Sequence, residues 1–166
     1  MNIFAFDKCP MRSALWLDDI RKNKMILESA QMLSTAVRAL CPDTTLEVYK
    51  TAYLNHPCSK WARQSRANFQ WLLHHMSWLY NQKSGDHKSA RLIPEFQKYV
   101  DDGDFPDEYL TPFANCARNL ERGVDYSDVD DVHQAYRMYM NDRWKENNIT
   151  LTWRWGREPE WRNKHG

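Results

Sequence analysis

The stretch from Asn55 to Gln82, NHPCSKWARQSRANFQWLLHHMSWLYNQ, decides the fold of this chain. Pro57 biases His56 away from helical geometry, and Ser59 stands where it would cap the helix that follows. Ala62, Ser65, Phe69, Leu72, Leu73, Met76 and Tyr80 then recur at helical spacing, so the pattern predicts one long helix from about Ser59 to Gln82 with that face buried. Gln64, Trp71, His75 and Trp78 fall on the other face. Aromatic residues on both sides mark either a central helix or one that shows rings to a ligand. Lys60, Arg63 and Arg66 add positive charge around the first turns, where they would meet phosphates or simply be solvated.

Upstream, Ile26, Ala30, Leu33, Val37 and Leu40 alternate steps of four and three, which predicts a helix from about Arg12 to Leu40, stopped by Pro42. At 100° per residue, Arg21, Lys24, Glu28, Gln31 and Thr35 fall on the opposite face of that helix. Downstream, residues 84–127 are richer in Gly, Pro and Asp and read as a connecting region with one short helix near Pro112 to Leu120. Val132, Ala135, Tyr136, Tyr139, Met140 and Arg143 return to helical steps and predict a third helix over Asp128 to Glu146. Met1 to Phe6 reads as a short strand that finds no partner. The expected fold is a compact, single-domain, all-α protein over residues 1–166, with three main helices and a short N-terminal strand.

With 166 residues, 42% of them hydrophobic and including 8 Trp, 8 Tyr and 6 Phe, the chain has ample material for a packed core. Cys9, Cys41, Cys58 and Cys116 stand far apart, without a Cys-x-x-Cys pair or a His at zinc-ligand spacing. Neither a metal site nor a disulfide scaffold is expected, and reduced thiols in a cytoplasm are the simplest reading. The apolar opening is interrupted at once by Asp7 and Lys8, too early for a signal-peptide core, and no apolar run is long enough to span a bilayer. No glycine-rich phosphate loop or Ser-His-Asp ordering supports a kinase or hydrolase, and no cofactor is expected.

The formal net charge of +1 conceals a segregation. Residues 101–131 hold ten acids against Arg118 and Arg122, so the rest of the chain is distinctly basic. That asymmetry suits a basic face for a polyanion and an acidic face turned away from it, or a solvated surface with an acidic loop. Among individual residues, His56 is either a proton donor near working pH or a ring bonded to the backbone at the start of its helix. Trp71 and Trp78 either stack on bases or belong to the core. His87 and Lys88 follow a Ser-Gly-Asp turn and suit a phosphate-facing loop, and Arg137 is a phosphate clamp or a structural arginine. Glu28 is either a catalytic carboxylate or a surface glutamate paired with Lys24.

The run from Lys24 to Ala36, the block from Asn55 to Leu72, Gly85-x-His87-Lys88, Ala135-Tyr136-Arg137-x-Tyr139 and Arg157-Glu158-Pro159-Glu160-Trp161 resemble a group of small bacteriophage proteins. That group is similar in turn to the phage pyrimidine-dimer DNA glycosylases of the endonuclease V type. The resemblance covers most of the chain and implies a compact all-α repair enzyme working in the cytoplasm of an infected host cell. It implies that Glu28, on the first long helix, is the essential glutamate, and that an N-terminal amine attacks the sugar C1′ to give a Schiff base that permits strand cleavage.

Two departures stand beside the resemblance: Arg21 lies where the phage relatives tend to have histidine, and Asn2 replaces a small second residue and so disfavours removal of Met1. Little or no covalent trapping on DNA is therefore expected, and Lys22 and Lys24 are substitute amines. The resulting expectation is a DNA N-glycosylase, with or without AP-lyase activity, using Glu28 and His56. Arg21, Lys24, Lys60, Arg63, Arg66, Trp71, His87, Lys88 and Arg137 are expected on the DNA. The alternatives are a non-catalytic nucleic-acid-binding phage accessory protein, or an enzyme acting on a free modified nucleotide.

Overall fold

Ala62, Ser65 and Phe69 share a buried face, but they belong to two helices rather than one. In the computed structural model, which describes residues 1–163, α3 (Pro57–Gln64) and α4 (Arg66–Asn81) are separated by Ser65, whose backbone is extended at φ −151° and ψ 160°. The N–H groups at the start of α4 find partners across the interruption. Ser65 accepts the Asn68 N–H at 3.0 Å, Arg66 N and Ala67 N donate to the carbonyls of Asp107 and Glu108, and Asn68 Nδ2 donates to Trp61 O at 2.8 Å. A one-residue break barely disturbs a 3.6-residue period, so the apolar pattern runs through it. At the start of α3 the cap is His56, whose Nδ1 accepts the Cys58 N–H at 3.1 Å, whereas the expected cap, Ser59, is buried.

The first expected helix is also two: α1 (Pro10–Leu15) and α2 (Asp19–Leu40), parted at Asp18, which is extended at ψ 157°. Of the predicted stripe, Ile26, Ala30, Leu33 and Val37 are fully buried and Leu40 is half-buried, and each fully buried side chain contributes about 1.5–3 kcal/mol, or less for alanine. Its opposite face does not stay in solvent along the whole helix. Thr35 on that face is buried, as are Ser29 and Ser34 on the flanks of the stripe, and Thr35 Oγ1 exchanges hydrogen bonds with the Ala52 backbone, so α2 is the central helix, packed against α3, α4 and α5 (Ile93–Asp102). Only its N-terminal half, which carries Arg21, Lys24 and Glu28, opens to a cavity.

No helix forms at Pro112 to Leu120. That region holds β1 (Arg118–Asn119) paired antiparallel with β2 (Val124–Asp125), turned through Gly123 at φ 67°. The helix of the connecting region is instead α5, led in by a 3₁₀ turn at Lys88–Leu92 and burying Phe96, Tyr99 and Val100. Pro94 sits in its first turn, where a missing N–H costs nothing. The last helix, α6 (Val132–Lys145), is capped by the Asp131 carboxylate on the N–H groups of His133 and Gln134.

The N-terminal segment is buried but is not a strand. Most of its backbone bonds go to side chains: Ile3 N and Phe4 N to Asn2 Oδ1, Phe6 N to Ser13 Oγ, and the carbonyls of Ala5 and Phe6 to His133 Nδ1 and Arg137 Nε. These partners satisfy the segment without a neighbouring strand. No described helix is long and apolar enough to cross a membrane.

Candidate active site

The half-exposed part of α2 forms one wall of a pocket of about 740 Å³. Met1, Asn2 and Phe4 form its floor, His56 and Pro57 a second wall, and residues 115–119 with Tyr139 and Arg143 of α6 the remainder. At its centre is Glu28, with a side chain 12% exposed. Its Oε2 accepts the Asn2 N–H at 3.1 Å, and its Oε1 lies 3.8 Å from the Met1 α-amine and 3.9 Å from Lys24 Nζ. A carboxylate and an amine are thereby held together inside a cavity, with the amine kept in place by the residue after it. Asn2 Nδ2 donates to Cys116 O at 3.1 Å while Oδ1 takes two backbone N–H groups. Phe4, at φ 41°, stands in the left-handed region, a conformation that costs a bulky residue energy and persists because those bonds fix the segment.

Electrostatically the lining is lopsided, with Arg21, Lys24, Arg118 and Arg143 against the single carboxylate of Glu28. Arg21 is held by Asp18 Oδ2 and Asn147 Oδ1, both at 2.9 Å. Burial pushes the Arg143 guanidinium below its ordinary range, and the nearby charges of Arg122 and Arg21 act in the same direction. Such a lining favours an anion over a cation. Burial likewise lowers His56, with the α-amine and Arg118 adding to the effect, so its ring is a neutral acceptor whose Nδ1 is occupied by the helix cap.

Of the residues singled out in the sequence, Glu28, His56, Arg21 and Lys24 meet here, and the others lie elsewhere. Lys60 is exposed, and Arg63 Nη1 donates to Leu54 O at 2.8 Å. Arg66 is spent on the fold: its guanidinium binds the carbonyls of Val100 and Gly103 and the Glu108 carboxylate, and covers the Phe105 ring. Trp71 is 5% exposed and donates to Lys8 O, so it offers no face for a base, whereas Trp78 is exposed. His87 Nε2 bonds to Asn23 O and Nδ1 accepts the Ser89 N–H, so both ring nitrogens are engaged by backbone beside exposed Lys88. Arg137 binds Phe6 O and lies over Trp16 and Trp161, a structural position. Lys22 is buried on Asp19 at 2.8 Å, which leaves Lys24 as the side-chain amine beside Glu28.

Sequence reasoning missed Arg118, Arg143 and Cys116, and read Asn2 only for its effect on Met1. These residues come from separate elements and carry no common spacing; the one available signal was the cationic Arg118 within an acidic segment. It also missed that folding brings His56, Cys58 and Cys116 together, with donor atoms all within 4.8 Å of one another, the donor set that a soft metal would use. Comparison with protein-family models, with curated proteins and with solved structures gives no match for this chain.

Proposed function

We propose that the protein is a DNA glycosylase acting on a damaged or modified base, with Glu28 as the catalytic carboxylate and an amine at the start of the chain as the nucleophile. The observation that carries this reading is the Glu28 carboxylate, 3.1 Å from Asn2 N and 3.8 Å from the Met1 amine, within a cationic pocket. Arg118, Arg143 and Lys24 would hold the phosphates flanking a displaced nucleotide, and the cavity would take its sugar and base. The amine lone pair forms a bond to C1′ as the bond from C1′ to the base breaks. The electrons of that bond leave with the base, the proton shed by the amine passes to Glu28, and the carboxylate stabilises the positive charge on the sugar. Retention of Met1 does not bar this route, because the Met1 nitrogen itself stands beside Glu28.

The test is mass-spectrometric detection of free base released from a panel of damaged and phage-modified DNAs. Glu28→Gln keeps an oxygen to accept the Asn2 N–H, so the fold and DNA affinity should survive while base release falls by about a hundredfold or more. Borohydride should trap the wild-type protein on DNA through its N-terminal peptide. Full activity of Glu28→Gln would return Glu28 to the role of an ordinary surface residue and leave a binding protein. Turnover of free nucleotides but not DNA would mark the nucleotide enzyme.

A further inference from the structure

We propose that Cys58 and Cys116 form a thiol–disulfide site in the pocket wall, closed by small disulfides of the glutathione class. Cys58, in the first turn of α3, is fully buried and donates its S–H to Cys116 Sγ at 3.3 Å. Cys116 is half-buried and faces the pocket, so one sulfur of the pair is reachable from solvent and the other waits behind it. This is the order that an attacking and a resolving thiol need. The backbone around Cys116 is fixed on both sides, its N–H on Tyr136 Oη at 3.1 Å and its carbonyl on Asn2 Nδ2 at 3.1 Å. The other two thiols lack such a partner: Cys41 bonds to Asp43 instead, and among the described residues Cys9 bonds to no other sulfur.

The surroundings favour a sulfur–sulfur bond over a metal held by the same residues. The Cys58 S–H holds the Cys116 thiol below its usual range against the opposing effect of burial, helped by Arg118 and the α-amine. Two positive groups promote a thiolate and oppose a divalent cation, and one nitrogen of His56, Nδ1, is already taken up by the Cys58 N–H. In the reaction, the Cys116 thiolate attacks one sulfur of oxidised glutathione, whose S–S bond breaks to release one glutathione thiolate. Cys58 gives its proton to that thiolate and attacks Cys116 Sγ, expelling the second glutathione. Two protein thiols are oxidised to one disulfide, one glutathione disulfide is reduced to two thiols, and the sulfurs close from 3.3 Å to about 2.05 Å. The bridge would tie the start of α3 to the pocket wall on which Asn2 is anchored. The proposal stands independently of the glycosylase reading.

The experiment equilibrates the reduced, full-length protein in glutathione buffers of rising oxidation, quenches in acid, alkylates with iodoacetamide and maps peptides by mass spectrometry. Two of the four alkylatable thiols should disappear together, with a cross-linked peptide pair containing Cys58 and Cys116. Cys58→Ser should leave Cys116 as a mixed disulfide with glutathione. Persistence of all four free thiols in fully oxidised buffer, or a cross-link between other cysteines, would overturn the proposal. So would stoichiometric zinc whose removal by chelator frees a protected thiol pair, since that result would assign the cluster to a metal.

Discussion

Asp18→Asn isolates the interaction that ties the start of the central helix to the last one. The Asp18 carboxylate is fully buried and its Oδ2 takes two donors, Arg21 Nη1 at 2.9 Å and Trp144 Nε1 at 2.8 Å, while Oδ1 has no partner. The amide can still accept both donors on its oxygen, but its NH₂ must then occupy the Oδ1 position, where nothing accepts. Burying that donor costs about 1–3 kcal/mol. Arg21, with a side chain only 15% exposed, loses its counter-charge at the same time. Removing one partner of a buried pair costs about 3–5 kcal/mol, but Asn147 still holds the other end of the guanidinium, so we expect about 2–4 kcal/mol in all. For a chain of this size that lowers Tm by roughly 5–15 °C. Differential scanning calorimetry and urea unfolding at neutral pH measure it. A Tm within about 2 °C of wild type would refute the reasoning, showing that the site tolerates an uncharged side chain and that Arg21 is not positioned by Asp18.

His75 should make stability fall with acid. It is fully buried against Trp71, bonded through Nδ1 to Pro10 O with Nε2 unpartnered, and burial lowers its pKa from 6.5 to about 4. A depressed folded-state pKa means that the contribution is fully present above pH 6.5 and is lost as pH falls towards 4, about 3 kcal/mol in total. Urea unfolding across that window should show a shallower decline for His75→Gln than for wild type, and parallel curves would count against it. On DNA, Lys24→Met and Arg118→Met should each flatten the salt dependence of binding by about one unit, whereas Arg66→Met should lower Tm and leave the slope alone. A changed slope with an unchanged Tm for Arg66→Met would put Arg66 on the phosphates after all.

The helical class was legible in the sequence because burial imposes a period on apolar residues wherever a helix meets a core. Ile26, Ala30, Leu33 and Val37 carry it in α2, as Phe69, Leu72 and Met76 do in α4. The place of Glu28 on the less apolar side of that first helix was legible from the same period. Where the helices break was not legible, because the interruptions at Ser65 and Asp18 are held by bonds between Ser65 and Asn68, between Arg66 and Asp107, and from Arg21 and Trp144 to Asp18, which periodicity does not record. The same cause hid which cations face the pocket. Arg66 and Arg63 look like phosphate ligands until the carbonyls of Val100, Gly103 and Leu54 claim them, and Arg118 and Arg143 look incidental until α6 and the 115–119 segment fold against Glu28. A charge's partner is set by distance in space, and only the tertiary structure brings Met1, Glu28 and Cys116 to one cavity from separate parts of the chain.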